Sequence, residues 1–141
     1  MTWTYQGQVV NELPEDCVGF VYIITCTLSG KKYIGKKLAK FSKTTYKTVK
    51  LKNGTKKKKK IKSKIDSDWQ EYYGSSPNLT KDIETLGKEH FTREILHYCT
   101  SKAQTSYLEA KEQFSRQVLE TDEYYNGHIQ VRVHGSHILK S

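Results

Sequence analysis

From Cys17 to Ile65 the chain carries sixteen lysines and not one acidic residue, and this sets the strictest limit on its fold. A run of uncompensated like charge resists burial. The core must therefore come from the few apolar stretches that interrupt the run and from the residues beyond Ile65. Residues 1–16 hold three acids and no base, and residues 66–141 hold twelve acids against eight bases. The net charge of +9 is thus laid out as −3, +16 and −4 along the chain. At 141 residues, one domain with one core is the expectation. A basic stretch within a domain is the electrostatic footprint of phosphate binding. No amphipathic basic helix with an aromatic face accompanies it, which favours nucleic acid over a membrane surface.

The first apolar interruption is "GFVYIITCTLSGKKYIGKK", residues 19–37. Val18 to Leu28 is β-branched and aromatic, "SGKK" is turn chemistry, and Lys32 to Leu38 reads as a second strand, so the segment predicts a hairpin. Each arm carries a tyrosine, Tyr22 and Tyr33, and Gly35 follows Tyr33-Ile34. As a cross-strand pair the tyrosines would contribute under about 1 kcal/mol of packing.

On either side of the hairpin the chain divides by composition. Residues 1–16 form an irregular lead-in, and residues 17–141 form a single domain. Within it, residues 39–65 are a basic insert that lacks helical period, carries Asn53-Gly54 as a turn signal, and is expected as a mobile loop or weak hairpin. "SDWQEYY" suits a short helix capped by Ser67 or Asp68 and stopped by Gly74. Leu79, Ile83 and Leu86 share one face of a three-turn helix that ends at Gly87. "FTREILHYC" reads as a strand. Ala103, Tyr107, Ala110, Phe114 and Val118 form an apolar stripe on a helix from Lys102 to Glu120. Ile129, Val131 and Val133 alternate as an edge strand would. The order predicts an α+β domain, a small antiparallel sheet flanked by helices, with the lysine-rich insert after the first hairpin.

Three cysteines, Cys17, Cys26 and Cys99, show neither CxxC nor metal-ligand spacing, so neither a disulfide framework nor a zinc site is indicated. No signal-peptide pattern and no apolar run near the roughly 20 residues of a membrane span is present. A soluble protein of a reducing cytoplasm is the expectation. His134 and His137 lie three apart with nothing nearby to complete a metal site.

"GFVYI" followed by "KYIG" resembles the paired signature of the GIY-YIG nuclease superfamily, in which two tyrosines from adjacent strands face a scissile phosphate. "YYGSSPNLTKDIETLGKEHFTREIL" is similar to the segment that phage and intron-associated members place after their first helix. "SYLEAKEQF" resembles their helix bearing the metal-binding glutamate, and "YYN" their closing asparagine. Together these stretches span residues 19–126, about three quarters of the chain.

The resemblance implies a Mg²⁺-dependent endonuclease, with Mn²⁺ able to substitute, that cuts DNA phosphodiesters, of phage or mobile-element type, in a bacterial host cytoplasm. Glu109 would be the metal ligand. Glu112 is the runner-up, three residues on, and periodicity does not separate the two. Tyr22 would be the general base or the water-orienting group. A free tyrosine titrates near 10, so a base role would need metal and lysines to favour the phenolate. Tyr33 would orient water or a phosphate oxygen, and Gly35 would let the backbone approach the substrate.

The family's arginine, about ten residues past the second tyrosine, has no counterpart here: Lys43 occupies that spacing, with Lys36, Lys37 and Lys40 nearby, and the first arginine is Arg93. Lysine supplies charge without the bidentate fork. Lys56, Lys57, Lys58, Lys59 and Lys60 would contact phosphates, and Asn126 would hydrogen-bond in the site. No appended DNA-binding domain is expected in 141 residues, so specificity would be low, set by DNA structure, or supplied by a homodimer or an accessory specificity protein. The rival reading is a catalytically inactive nucleic-acid binder with the same fold.

Overall fold

The computed structural model describes residues 2–132, 134 and 135, apart from the side chains of Ser42, Lys43, Lys62 and Lys64. Five strands form one sheet in the order β2-β1-β7-β3-β4. These are β1 (Trp3–Tyr5), β2 (Gln8–Val10), β3 (Gly19–Cys26), β4 (Lys32–Leu38) and β7 (Phe91–Cys99). The α+β class is as expected, but the sheet is mixed, because β1 runs parallel to β7 while every other pairing is antiparallel. Residues 1–16 are not an irregular lead-in. Trp3 is 1% exposed and donates its indole N–H to the Trp69 carbonyl at 2.7 Å. A large aromatic with a satisfied polar edge is what a sheet-edge core position takes, so the segment adds two strands.

The β3–β4 hairpin forms as the sequence predicts. Gly30, at φ +77°, turns the chain, and its N–H donates to the Cys26 carbonyl at 2.8 Å. Alternation sends Phe20, Tyr22, Ile24 and Cys26 to one face of the sheet, against Trp3, Trp69, Leu79 and Ile83. Val21, Ile23 and Ile34 go to the other, against Cys99 and Val118. A bulge between Val21 and Tyr22 on the β7 side re-aims the strand just where Tyr22 begins.

Two helices cover the faces, α1 (Pro77–Leu86) and α2 (Lys102–Ser115). Ser76 caps α1 by accepting from the Leu79 N–H, and Ser101 caps α2 by accepting from the Gln104 N–H. The helix expected at "SDWQEYY" is only a single 3₁₀ turn, Trp69–Glu71, because Asp68 spends its carboxylate on Lys37 at 2.6 Å and makes no cap. α2 stops at Ser115 rather than Glu120, with Gln117 turned to φ +55°. The apolar stripe is buried only in part: Ala110 and Val118 are in the core, but the helix buries the polar Thr105 and Gln113 beside them. Tyr107 and Phe114 are 37% and 62% exposed. Leu86 at the end of α1 also stays exposed.

The basic insert is an ordered ribbon, β5 (Lys40–Lys50) paired antiparallel with β6 (Lys56–Asp66), forming a sheet of its own. No strand forms over residues 128–132, and Val133 lies outside the described residues. Instead Tyr124 makes a parallel bridge to Lys32 on the outer edge of β4. Among the described residues no helix is long and apolar enough to cross a membrane.

Candidate active site

Because β4 is an edge strand, side chains of both its faces can reach one opening. A cleft of about 380 Å³ wraps that edge. Tyr33 and Lys36 line it from β4, Glu109 and Gln113 from α2, Ser75 from the loop ahead of α1, and Asn126 and His128 from the C-terminal segment. Tyr33, Lys36, Glu109 and Asn126 are all candidates of the sequence, and the fold brings these four together.

Tyr33 is half-buried, and its hydroxyl lies 3.2 Å from Ser75 Oγ. Burial raises its pKa, so at neutral pH it is a phenol that donates. Lys36 is exposed and donates from Nζ to Ser106 Oγ at 2.7 Å, which fixes the ammonium on the α2 side. Glu109 is partly buried, and desolvation raises its carboxyl, opposed by the charges of Lys36 and His128.

Glu112 lies elsewhere. Its oxygens accept from His97 Nε2 and Arg116 Nε, both at 2.8 Å. Burial works against its charge, yet Arg116 and His97 hold it below the usual carboxylate range. Sequence periodicity leaves the two glutamates open; the fold puts Glu109 in the cleft and gives Glu112 to an ion-pair cluster.

Tyr22 sits directly behind the cleft wall. It is fully buried, and desolvation followed by the neighbouring Tyr72 and Tyr33 phenols raises its pKa well above 10. Its hydroxyl makes no hydrogen bond of good geometry among the described residues, and the Tyr72 hydroxyl is the group near enough to act on it, with the Tyr72 ring edge-on at 5.9 Å. The hydroxyl lies over Gly35, which is opposite Tyr22 in the ladder. A Cβ at Gly35 would stand 2.6 Å from Tyr22 Cζ and 2.9 Å from Tyr33 Cε2. Gly35 therefore makes room for the two tyrosines; the space over its Cα is taken by Tyr22 and is not open to a substrate.

The remaining candidates divide. Lys37 points to the opposite face from Lys36, ion-paired with Asp68 and lying 4.2 Å over the Tyr72 ring. Lys43 belongs to β5, opposite Ser63, and its side chain lies outside the described residues. Lys40 stands at the base of the ribbon and Lys56–Lys60 on β6, all exposed. Asn126 accepts from the Ile34 N–H at 3.0 Å and donates to the Ile34 carbonyl at 2.8 Å, so both ends of its amide hold the β4 edge. His137 lies outside the described residues.

Sequence reading missed Ser75, Gln113 and His128 as cleft residues. It also missed Arg93, which is buried between the Trp3 and Tyr73 rings and donates to the Gln70 and Tyr72 carbonyls at 2.8 and 2.9 Å. Only "YYGSSPN" and the residue after "NG" carried any signal of the first and third.

Residues 3–129 match the family model described as "Putative endonuclease segE, GIY-YIG domain". The chain belongs to the GIY-YIG nuclease superfamily. No curated protein and no solved structure matches it. The match spans both tyrosine strands, α2 and Asn126, and membership supports nuclease chemistry in general.

The donor set suits a hydrated hard cation. Glu109 is a single carboxylate beside roomy, polar-lined space, and Mg²⁺ is commonly held by one or two carboxylates while keeping several waters. Among the described residues no group of three or more His, Cys, Asp or Glu is gathered.

Proposed function

We propose that this GIY-YIG protein is a Mg²⁺-dependent endonuclease that hydrolyses DNA phosphodiester bonds, of phage or mobile-element type and active in a bacterial cytoplasm. The supporting observation is the convergence of Tyr33, Lys36 and Glu109 on one cleft from positions separated by more than half of the chain. Glu109 would hold the metal, with Mn²⁺ as a substitute. When bound, the ion would supply charge neutralisation at the phosphate and acidify a water.

The chain's own residues supply positioning. Lys36, anchored by Ser106, offers its ammonium to a non-bridging phosphate oxygen. The Tyr33 phenol, shared with Ser75, donates to water or phosphate. His128 places an imidazole in the cleft wall, where its ring nitrogens can hydrogen-bond to water or phosphate. Tyr22, kept a phenol by burial, acts from behind as a positioning group for Tyr33 rather than as a free phenolate. Specificity would be low, set by DNA structure, or supplied by a second copy or an accessory protein.

The rival, a non-cleaving binder, is favoured by one observation: a lysine, without arginine's fork, is the cleft's cation. Supercoiled plasmid incubated with the protein in Mg²⁺ separates the two. Nicking or linearisation that EDTA abolishes and Glu109→Gln lowers by orders of magnitude is the expected outcome. Intact plasmid across Mg²⁺, Mn²⁺ and several DNA sequences establishes the binder instead.

A further inference from the structure

The β5–β6 ribbon is a separate sheet whose strands carry one acid, Asp66 at the very base opposite Lys40. The register divides its side chains between two faces. Tyr46, Lys50, Lys56, Lys58 and Lys60 lie on one. Lys47, Val49, Lys57, Lys59 and Ile61 lie on the other. All of these lysines are exposed, and Tyr46 is 66% exposed. Cationic residues on both faces do not suit a ribbon lying flat on a phosphate surface, for which one basic face would suffice. They suit a ribbon set between two phosphate walls.

The major groove of B-DNA has such walls and admits a two-stranded ribbon. Eleven residues at about 3.3 Å each extend roughly 36 Å, close to the roughly 34 Å of one helical turn. At its base the ribbon joins the cleft, because a furrow lined by Lys36, Phe41, Lys102 and Ser106 shares Lys36 with it. We infer that the ribbon inserts into the major groove of duplex DNA, on one side of the cleft, over the helical turn next to the bond being cut. Lysines of both faces then contact phosphates of both strands, and Tyr46 and Ile61, on opposite faces, lie toward the sugars of opposite strands. This rests on the nuclease reading for the identity of the nucleic acid and goes beyond it in placing the ribbon.

Two measurements test it. The first is the salt dependence of binding to a random-sequence duplex of about 40 base pairs, roughly four turns, in EDTA. The wild type is compared with two matched variants, Lys56→Thr/Lys58→Thr/Lys60→Thr and Lys47→Thr/Lys57→Thr/Lys59→Thr. Threonine keeps strand preference. Each triple should flatten the log–log slope by about 2.7, at about 0.9 per lost phosphate contact.

The second uses the unaltered protein, so no variant has to fold: premethylating guanine N7, which faces the major groove, should block binding within one turn on a single side of the cut. Flattening by only one triple means that the ribbon lies on one face. Flattening by neither, or methylation without effect, removes the ribbon from the groove. Each result overturns the inference, as does loss of binding to anionic vesicles or to an RNA duplex without loss on DNA. A wild type that binds no duplex overturns the nuclease reading as well, whereas a wild type that cuts DNA while both triples keep its slope overturns the ribbon alone.

Discussion

Removing a single oxygen from Tyr22 should raise stability and lower activity. Its hydroxyl is buried and makes no hydrogen bond of good geometry among the described residues, Tyr72 being the nearest polar group, and leaving such a group short of a partner costs about 1–3 kcal/mol. Tyr22→Phe keeps the ring, its edge-on contacts with Trp3 and Tyr72, and its place over Gly35. The variant should therefore be about 1 kcal/mol more stable, or about 3–5 °C in a chain of this size. A satisfied hydroxyl would give the opposite sign.

Alkaline pH adds a second handle. The folded pKa of Tyr22 lies well above the unfolded value near 10, so its contribution is intact below pH 10 and is lost as pH rises toward the folded pKa. The variant should lack that share of the alkaline loss. Thermal melts at about pH 7 and about pH 11, together with plasmid cutting, read all three effects. A variant destabilised by about 1 kcal/mol would show that the hydroxyl is hydrogen-bonded in the folded protein. Unchanged cutting would remove Tyr22 from the positioning of Tyr33.

Gly35→Ala puts a methyl group against Tyr22 Cζ and Tyr33 Cε2, and overpacking of this kind costs about 1–3 kcal/mol. Urea melts should show that loss with cutting abolished, and a smaller-than-additive loss when the change is combined with Tyr22→Phe. The two glutamates should behave oppositely. Glu112→Gln destabilises near neutral pH, and its deficit fades as pH falls below about 4.3 and through the depressed pKa of Glu112. Glu109 has a raised pKa, so its charge costs stability above the carboxylate range. Glu109→Gln should equal or exceed wild type at about pH 7 and lose that advantage as Glu109 protonates in acid. Unfolding midpoints across that range check both, and the same sign for both variants refutes their separation into cleft and ion-pair cluster.

The parts of the fold legible in the sequence are those where local preference and burial agree. The β3–β4 hairpin has β-branched and aromatic alternation together with a glycine turn, and α1 has a serine cap with Leu79 and Ile83 one turn apart. The readings that fail are those decided by distant partners. Trp3 looks like part of an irregular lead-in because its carbonyl acceptor lies 66 residues away. The stripe on α2 names Phe114 as core, yet the helix turns Thr105 and Gln113 inward, and Gln113 donates to the Ile34 carbonyl at 3.1 Å. No window average finds a buried glutamine that serves another strand's backbone. The lysine insert reads as either a mobile loop or a weak hairpin, and the hairpin is what forms; its length is not legible when repulsion is weighed without the ladder that eleven facing residues on each strand can form. The candidate site is legible through its resemblance more than through its chemistry, since Lys36 and Lys37 are adjacent and chemically alike. Only alternation across the sheet separates the cleft ammonium from the one bound to Asp68.

That the cleft lies on an edge strand raises a problem which the C-terminal segment answers. An exposed edge offers unpaired N–H and C=O groups to any passing strand. Here the Lys32 N–H donates to the Glu123 carbonyl at 2.9 Å and the Lys32 carbonyl accepts from the Tyr125 N–H at 2.7 Å. Further along, Asn126 takes both backbone groups of Ile34, and Gln113 adds a second donor to the Ile34 carbonyl. These side-chain amides do what a sixth strand would do while occupying far less width. The edge is thereby satisfied at Lys32 and Ile34, and the side chains of Tyr33 and Lys36 remain in the cleft. A true sixth strand paired along β4 would have covered that opening. Asn126 and Gln113 thus satisfy the β4 edge at Ile34 while leaving Tyr33 and Lys36 open to a substrate, which accounts for a buried glutamine and a fully engaged asparagine in the wall of the cleft.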